Sequence, residues 1–312
     1  MRVLVTGGAG FIGSHLVDAL LERGDEVAIV DHLRRSPRPW VGEAMGRGAR
    51  LEVADVQDLA SMRAAFEATG PEVVMHLAAQ VDVRRSILDP SYDAQVNVAG
   101  TVSVLEAARE VGAGRVMLSS TAAVYGDPDH VPTSEDTPIA PLSPYGSAKA
   151  AAEWYLAQYH RLYGMSTVAM RMANVYGPRQ DPRGEAGVVA IWCGVAAEGG
   201  RAVIYGDGQQ TRDYIYVGDV VAAWLRAAEH DDTGAFNVST GTETSLLELA
   251  AALRLDYDFA PGRPGEVARS CLDPTAAAEG FGWRAKVRLD AGLEKTLRAL
   301  RGASHGDPAA RG

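Results

Sequence analysis

A glycine-rich turn between two short apolar strands constrains this chain more than any other feature. The apolar strand Val3–Val5 runs into the sequence Thr6-Gly7-Gly8-Ala9-Gly10-Phe11-Ile12-Gly13. Glycines at this spacing let the backbone turn tightly and approach a pyrophosphate, whose charge then lies at the N-terminus of a helix beginning near Ser14. Gly13 also permits that helix to pack closely on the strand. We therefore predict a dinucleotide site that includes Gly7, Gly10, Phe11, Ile12 and Gly13.

The ends of the next two predicted strands narrow the choice of dinucleotide. The strand Val27–Val30 ends in Asp31, 18 positions beyond Gly13. A carboxylate there can accept hydrogen bonds from the adenosine ribose diol, and its charge would repel the extra phosphate of NADP. The predicted cofactor is therefore NAD. The following strand ends at Asp55 and Val56, which are both predicted to contact the cofactor. Asp55 can reach the adenine, cap the helix predicted over 59–67, or do both.

Charge and cysteine content exclude several classes of partner. The chain has 312 residues and a formal net charge of -10, whereas nucleic acids and anionic membranes require a basic surface. Cys193 and Cys271 have no metal-ligand neighbours at useful spacing, and the seven histidines form no cluster, so no metal site is predicted. The chain shows no signal-peptide pattern and no apolar run long enough to span a membrane, so we expect a cytoplasmic protein.

Strands alternate with helices along the first part of the chain. This order predicts an α/β fold with a Rossmann-type doubly wound parallel sheet. Pro- and Gly-rich segments after Asn174 indicate a smaller C-terminal substrate-binding lobe. We expect residues 1–174 to form the NAD-binding domain, which also receives segments near 206–240, residues 175–205 and 241–301 to form mainly the substrate lobe, and residues 302–312 to be a disordered tail.

A tyrosine and a lysine one helical turn apart indicate the site of chemistry. Tyr145 and Lys149 lie on one face of the helix predicted after Pro144. The ammonium can lower the pKa of the phenol, which could then act as a base. The preceding strand ends in Ser119-Ser120-Thr121, whose hydroxyls can bridge substrate and phenol. The alternative is an exposed Tyr–Lys pair and hydroxyls that only cap the turn before Val124.

These residues resemble the extended short-chain dehydrogenase/reductases, and among them the NAD-dependent nucleotide-sugar 4-epimerases of the UDP-galactose 4-epimerase type. The resemblance covers nearly the whole chain. Besides the glycine turn and the Tyr–Lys pair, it is carried by the segments His76–Gln80, Asp89-Pro90, Asn97–Thr101, Val124–Gly126, Asn174–Gln180, Gln210–Tyr214 and Pro261–Glu266. One departure is Ala148, where family members commonly carry a serine directly before the lysine.

The resemblance implies roles for the candidate residues. Tyr145 would be the catalytic base, Lys149 would hold the nicotinamide ribose and tune Tyr145, and Thr121 would share the proton of the sugar 4-hydroxyl. Further cofactor contacts would come from Leu77, Ala78, Ala79, Gln80, Asn97 and Ser119. The nucleotide diphosphate would meet Arg212 and Arg263, and the remaining substrate contacts would be Ser120, Asn174, Gly187, Val188, Val189, Val203, Ile204, Tyr205 and Glu266.

The reaction implied is epimerisation at carbon 4 of a UDP-hexose through a transient 4-keto sugar. The alternatives are a nucleotide-sugar 4,6-dehydratase or decarboxylase, a 4-ketoreductase, and a non-enzymatic NAD-dependent sensor or scaffold. The related dehydratases carry an Asp-Glu pair after the threonine, whereas Ala122 and Ala123 follow Thr121 here. This difference favours the epimerase.

The choice of sugar stays open at this level. A small residue at the position that gates the hexose, Ser270 or with a shift of one Cys271, leaves room for an N-acetyl group. Arg84 and Ser86 follow the Gln80 loop, where a cation could meet the carboxylate of UDP-glucuronate. UDP-glucose, UDP-N-acetylglucosamine and UDP-glucuronate are therefore all candidates. The resemblance also implies a homodimer formed by the helices predicted near 98–111 and 147–162.

Overall fold

A computed structural model of the chain describes residues 1–34, 39–182, 187–262 and 267–306, without the side chains of 303–306. Its strands are β1 (Arg2–Thr6), β2 (Glu26–Asp31), β3 (Arg50–Val53), β4 (Val73–His76), β5 (Arg115–Thr121), β6 (Ser166–Met172), β7 (Asn174–Tyr176), β8 (Ala202–Tyr205), β9 (Thr211–Arg212), β10 (Tyr214–Tyr216), β11 (Gly234–Val238), β12 (Thr244–Ser245), β13 (Tyr257–Ala260) and β14 (Arg269–Ser270). Its helices are α1 (Phe11–Arg23), α2 (Pro39–Gly46), α3 (Leu59–Thr69), α4 (Val83–Leu88), α5 (Pro90–Ala94), α6 (Gly100–Glu110), α7 (Pro144–Tyr163), α8 (Val188–Glu198), α9 (Val217–Ala228), α10 (Leu246–Leu253), α11 (Thr275–Phe281) and α12 (Leu289–Gly306). A turn of π-helix, Gln95–Ala99, joins α5 to α6.

The main sheet has seven parallel strands in the order β3-β2-β1-β4-β5-β6-β11. The middle residues of its central strands are apolar and buried, namely Val3–Val5, Val73–Met75 and Val116–Leu118, since a parallel sheet is covered by helices on both faces. The strand order reverses between β1 and β4, so the loops after these two strands diverge and leave a crevice at the carboxyl edge. The predicted doubly wound Rossmann-type fold is confirmed.

Two apolar layers hold the helices on the sheet. One layer joins the sheet to α1, α9 and α11 through residues such as Leu20, Trp224 and Phe281. The other joins it to α3, α6 and α7 through residues such as Phe66 and Leu105. Burial of these side chains stabilises the fold because each removes a large apolar surface from water. Both layers together fix the carboxyl edge of the sheet, where the candidate site lies.

The C-terminal part of the chain builds small sheets around a third apolar cluster. Strand pairs β10-β7 and β13-β8 and the three strands β12-β9-β14 surround a core to which α8, α10 and α12 contribute. Between these elements, β11 returns to the main sheet and pairs with β6. The substrate-lobe segments are therefore interrupted in sequence by a strand of the main sheet.

The final helix corrects the prediction of a disordered tail from Gly302. Helix α12 continues to Gly306. Its leucines at 289, 293, 297 and 300 recur every three or four residues and pack against the third apolar cluster. Once this face nucleates the helix, each added residue gains one backbone hydrogen bond, so the helix extends past the last leucine. Residues 307–312 lie outside the described part of the chain.

Candidate active site

The glycine turn after β1 forms a cradle for an anion. Gly7 has a φ of 68°, and a Cβ added there would lie 2.7 Å from the backbone nitrogen of Ala78. A Cβ at Gly13 would lie 2.2 Å from the carbonyl oxygen of Gly7. Helix α1 begins directly after Gly10, without a side-chain cap and without an acid in its first turn. The exposed amides and the positive end of the helix dipole thus suit a pyrophosphate.

Asp31 lies at the carboxyl end of β2 beside this turn. Its two carboxylate oxygens accept hydrogen bonds from the amides of Ala9, at 3.2 Å, and Leu33, at 3.0 Å. Each oxygen has a second lone pair, so the carboxylate can still accept from a ribose diol. The residues present therefore fit the adenosine half of NAD.

Asp55 is predicted to contact the adenine, to cap the following helix, or to do both, and the structure assigns the cap to Asp58. Asp58 is the N-cap of α3, where it accepts a hydrogen bond from the amide of Ala60 at 3.0 Å. Asp55 is not the cap; it pairs with Arg34 at 2.7 Å. The side chain of Val56 is buried under Gly100 in the apolar layer, so the predicted contact of Val56 with the cofactor cannot come from this side chain.

We predict that Gly13→Ala destabilises the protein and weakens NAD retention. The added methyl group would overlap the Gly7 carbonyl, so helix and strand must separate, at a cost of about 1–3 kcal/mol. Gly42→Ala is the matched control because a Cβ at Gly42, in α2, meets nothing within 4 Å. Thermal unfolding and the NAD content after gel filtration measure both effects. Equal behaviour of the two variants would contradict the close packing at Gly13.

A buried histidine holds the turn Leu77–Ala79 against the cofactor crevice. The Nδ1 of His76 lies 2.7 Å from the Thr6 hydroxyl, and its Nε2 lies 3.1 Å from the Thr101 hydroxyl. Thr101 donates to the carbonyl of Asn97, so it accepts from Nε2, and Thr6 therefore donates to Nδ1. Burial, with a smaller effect of Lys149, lowers the pKa of His76 to about 3, so the ring is neutral. The Thr6 oxygen also accepts from the amide of Ala78 at 3.2 Å, which fixes the turn.

The structure brings Thr121, Tyr145 and Lys149 together at the carboxyl edge of the sheet. Ser143 caps α7 by accepting from the amide of Gly146 at 3.1 Å, so Tyr145 occupies the first turn and Lys149 the second. The Thr121 hydroxyl lies near the Tyr145 phenol, where it lowers the pKa of the phenol. Thr121 also accepts from the amide of Ala123 at 3.2 Å, so it caps the following turn as well. Lys149 is buried.

Burial dominates the ionisation of this pair. It raises the pKa of Tyr145 to about 12, opposed by the nearby Thr121 hydroxyl and reinforced by the charge of Asp93. Burial also lowers the pKa of Lys149 to about 8, opposed by Asp93 and Glu153. The expectation that Lys149 brings the phenol towards neutral pH is therefore not met by the protein groups alone.

A buried ion pair behind the catalytic strand was not predicted from the sequence. Glu153, one turn after Lys149, pairs with Arg171 of β6 at 2.6 Å. Ser120 donates a hydrogen bond to Glu153, because the strand pleat turns it away from the side shared by Ser119 and Thr121. This placement corrects the prediction of Ser120 as a substrate contact. Arg171 also donates to the Tyr125 hydroxyl at 2.8 Å.

Other predicted substrate residues divide into accessible and buried groups. Arg84, Asn174, Gly187, Val203 and Tyr205 are exposed, and Val188 and Arg212 are half-buried. The side chains of Ser86, Val189 and Ile204 are buried, so the substrate contacts predicted at these positions cannot come from their side chains. The Ser86 hydroxyl donates to the carbonyl of Val83 at 2.7 Å, and the other two pack in the third apolar cluster. Arg263 and Glu266 lie outside the described residues.

Strands β9 and β14 pair Arg212 with Ser270, one of the two residues predicted to gate the hexose. Ser270 pairs with Arg212 in the register of two parallel strands. The side chain of Cys271 is buried, with its sulfur 3.6 Å from a carboxylate oxygen of Asp213. Of the two candidates for the gating position, Ser270 therefore shares a face with Arg212.

Neither a metal site nor a membrane-spanning helix has a candidate among the described residues. Within residues 1–34, 39–182, 187–262 and 267–306, histidine, cysteine, aspartate and glutamate form no group able to hold a metal ion. None of the described helices has the length and apolar composition that crossing a membrane requires.

Comparison with known proteins gives a consistent result along the chain. Residues 3–239 match the family described as NAD dependent epimerase/dehydratase. A UDP-glucose 4-epimerase of Mycolicibacterium smegmatis is 46% identical over 97% of this chain and 100% of that protein. The crystal structure of a Thermotoga maritima UDP-glucose 4-epimerase with UDP-glucose is 42% identical, with a TM-score of 0.92, over 97% of this chain and 100% of that one. The Thermus thermophilus UDP-glucose 4-epimerase in complex with NAD is also 42% identical over the same shares, with a TM-score of 0.89.

Proposed function

Because the chain belongs to the NAD dependent epimerase/dehydratase family, we propose that it inverts carbon 4 of a UDP-hexose through a 4-keto sugar. The observation that carries the proposal is the position of Thr121, Tyr145 and Lys149. Thr121 ends β5 at the carboxyl edge of the sheet, and Tyr145 and Lys149 lie in the first two turns of α7. One strand, β4, separates β5 from β1, which leads into the glycine turn. A proton acceptor and a dinucleotide site thus share one crevice.

NAD would be held by the glycine turn and the residues around it. The amides at the start of α1 suit its pyrophosphate, Asp31 its adenosine ribose, and the Leu77–Ala79 turn with Ser119 the nicotinamide half. When bound, NAD would supply the hydride acceptor for oxidation of carbon 4 and, in its reduced form, the hydride donor for the opposite face of the keto sugar. Asp31 disfavours the 2′-phosphate of NADP.

Tyr145 takes the proton of the sugar 4-hydroxyl and later gives it back. The Thr121 hydroxyl lies near the phenol and can pass the proton between sugar and tyrosine. Since burial holds the pKa of Tyr145 near 12, the phenolate needs further positive charge close by. A protonated Lys149 and an oxidised nicotinamide supply that charge, so proton removal and oxidation of the sugar are linked.

The substrate is anchored by its nucleotide rather than by its sugar. Arg212 offers a guanidinium to the diphosphate, with Asn174 beside it and Arg263 as a second candidate. Val203 and Tyr205 are exposed on β8, where they can contact the base. A sugar that is not itself clamped can turn over after oxidation, and this rotation brings its other face to the hydride donor.

The turn after Thr121 favours epimerisation over 4,6-dehydration. A dehydratase needs an acid and a base near carbons 5 and 6, which related dehydratases carry directly after the threonine. Ala122 and Ala123 occupy these positions and offer no titratable group. The small Ser270 leaves room around carbon 2, so we expect UDP-glucose and UDP-N-acetylglucosamine both to be accepted.

Incubation of the purified protein with three UDP-sugars tests the proposed function. UDP-glucose, UDP-N-acetylglucosamine and UDP-glucuronate are followed by proton NMR, with and without added NAD. We expect conversion of UDP-glucose to its 4-epimer. Loss of water or carbon dioxide from the sugar would instead indicate a dehydratase or decarboxylase, and net reduction of the added NAD with accumulation of a 4-keto sugar would indicate a 4-ketoreductase running in reverse. Bound NAD without any turnover would favour the sensor or scaffold.

A homodimer through α6 and α7 forms part of the proposal. Trp154, Tyr155, Leu162 and Tyr163 expose large apolar surfaces on α7. A groove beside them is lined mainly by apolar side chains, namely Ala94, Val98, Ala99, Val102 and Tyr155. Exposed apolar surface of this extent marks an interface between proteins.

We predict that Val102→Asp converts the dimer to a monomer. The added carboxylate would have to be desolvated in the interface, which costs far more than the contact gains. Light scattering at micromolar concentration measures the mass. Val53→Asp, which changes an exposed valine on β3, is the control and should remain dimeric. A monomeric mass for the unmodified protein would contradict the interface.

We also propose a cytoplasmic location and a division of the chain into two domains. Cys193 and Cys271 are both free thiols, which suits the reducing cytoplasm. We place the NAD-binding domain at residues 1–174 together with segments near 206–240, and the substrate lobe mainly at residues 175–205 and 241–301.

A further inference from the structure

Asp93 is a buried carboxylate that the reaction described above does not use. It lies at the end of α5, where the π-helical turn begins, and is 1% exposed. One carboxylate oxygen, Oδ1, accepts hydrogen bonds from the side-chain amides of Gln80, at 2.8 Å, and Asn97, at 3.0 Å. The other oxygen, Oδ2, is buried and has no hydrogen-bond partner. A buried anion with an unpartnered oxygen is costly unless positive charge lies nearby.

The positive charge in its surroundings is Lys149. Helix α5, which carries Asp93, packs against α7, which carries Lys149. The side chain of Lys149 is 2% exposed, close enough to Asp93, Glu153 and His76 for their charges to affect one another's pKa. Glu153 is committed to Arg171, with a contact of 2.6 Å and further hydrogen bonds at 3.1 Å. His76 is neutral.

The hydrogen-bond partners of Asp93 are neutral and leave its negative charge uncompensated. The charge of Glu153, in contrast, is compensated by Arg171. Gln80 and Asn97 hold the Asp93 carboxylate with neutral amides, so its negative charge is available to the ammonium of Lys149. The carboxylate is also fixed in place, since Asn97 is tied to the backbone carbonyl of Gln80 at 2.9 Å and its own oxygen accepts from the Gln80 amide at 3.0 Å. Gln80 and Asn97 therefore hold an anion beside Lys149, rather than only lining the cofactor.

We propose that Asp93 is a positioning residue that acts through Lys149, as a fixed countercharge that keeps the buried ammonium protonated. The importance of that ammonium rests on the proposed function, in which Lys149 supports proton removal by Tyr145. The arrangement has a cost, because the same charge opposes ionisation of Tyr145, whereas the Thr121 hydroxyl favours it. Asp93 therefore assists the reaction only if protonation of Lys149 raises the rate by more than the charge of Asp93 lowers it through its effect on the phenolate.

The lysine content of the chain makes a direct test possible. The sequence contains three lysines, Lys149, Lys286 and Lys295. The last two are exposed, so in protein labelled with carbon-13 at lysine Cε they provide internal references for the titration of Lys149. Lys149→Arg assigns the third signal. The titration is recorded between pH 6 and 11 on the protein as purified, with saturating NAD.

We expect Asp93→Asn to lower the titration midpoint of Lys149 by about one pH unit, with the two reference lysines unchanged. Asparagine keeps the size of the side chain and an oxygen that can accept from the two amides. Asp93→Glu, which retains the charge, should restore most of the midpoint. Asp89→Asn is the matched control on the same helix, because asparagine also caps a helix well and Asp89 is exposed. An unchanged Lys149 midpoint in folded Asp93→Asn would overturn the proposal.

A second neutral variant and the pH–rate profile complete the test. If Asp93→Asn does not fold, Asp93→Ala takes its place, and failure of both to fold would assign Asp93 a structural role and overturn the proposal. In folded variants, loss of the charge should move both limbs of the profile of kcat/KM to lower pH, since it favours both the phenolate and the neutral amine. A purely structural role would lower the rate without moving the limbs. A shifted Lys149 midpoint in a protein without epimerase activity would leave the countercharge intact and contradict only the proposed function.

Discussion

Tyr145→Phe should abolish epimerisation while leaving NAD bound. The substitution removes one hydroxyl, and with it the group that takes the proton of the sugar 4-hydroxyl. Loss of a general base typically costs about 10²- to 10⁴-fold in rate. The ring is retained, and the glycine turn and Asp31 are untouched, so cofactor content should not change. Turnover of UDP-glucose is followed by NMR, and bound NAD is quantified after release by denaturation.

Tyr163→Phe is the matched control for this variant. Tyr163 is the last residue of the same helix and its side chain is exposed, so removal of its hydroxyl tests for general effects on α7. We expect its turnover to equal that of the unmodified protein. A normal rate in Tyr145→Phe would exclude the tyrosine as the proton acceptor, whereas loss of NAD together with activity would indicate that it chiefly holds the cofactor.

Arg171→Met should produce the largest loss of stability. It leaves Glu153 buried without its partner, and breaking a buried ion pair from one side costs about 3–5 kcal/mol. The variant also removes the donor to Tyr125, whose hydroxyl in turn donates to Asn237 of β11 at 2.8 Å. Urea unfolding in the presence of saturating NAD gives the free energy of unfolding. A decrease below about 1 kcal/mol would show that the pair contributes no more than an exposed one.

Two further variants separate the charge from the loss of packing. Glu153→Met combined with Arg171→Met removes both charges, and should recover part of the lost stability because no buried charge is left unpaired. Arg298→Met, which breaks the exposed pair of Arg298 with Glu294 on α12, should have little effect. If the double variant is less stable than Arg171→Met alone, packing rather than charge accounts for the loss.

The features predicted from sequence are those that local spacing determines. The glycines, the helix N-terminus and the acid at the end of the next strand form one β-α-β unit, so their arrangement in space follows from their order. Tyr145 and Lys149 lie on one helical face because they are four residues apart. The alternation of strands and helices likewise determined the parallel sheet, since parallel strands require crossover helices.

The errors concern which face of an element a residue occupies. Ser120 lies between Ser119 and Thr121, and an offset of one residue in a strand turns the side chain to the opposite face. The same alternation buries Ile204 between Val203 and Tyr205. When three consecutive strand residues are all candidate ligand contacts, either the outer two or the middle one faces the ligand. The sequence alone does not show which of these two arrangements applies.

The residues that the sequence did not reveal act through distant partners. Glu153 meets Arg171 across 18 positions, and Asp93 meets Gln80 across 13. A signal was present for Arg171, since a charged residue within the apolar strand Ser166–Met172 requires a buried partner. Asp93 lies four residues before Asn97, which places both on one helical face, but the identity of the group opposite depended on the fold.

The central claim, transfer of a hydride from carbon 4 and its return to the other face of the same sugar, is tested most directly with an isotope. UDP-glucose carrying deuterium at carbon 4 is incubated with the purified protein in ordinary water, and the product is examined by NMR and mass spectrometry. We predict UDP-galactose that keeps the deuterium at carbon 4, because the label passes to bound NAD and returns without meeting solvent. Product with hydrogen from water at carbon 4 would contradict hydride transfer, and with it the proposed mechanism.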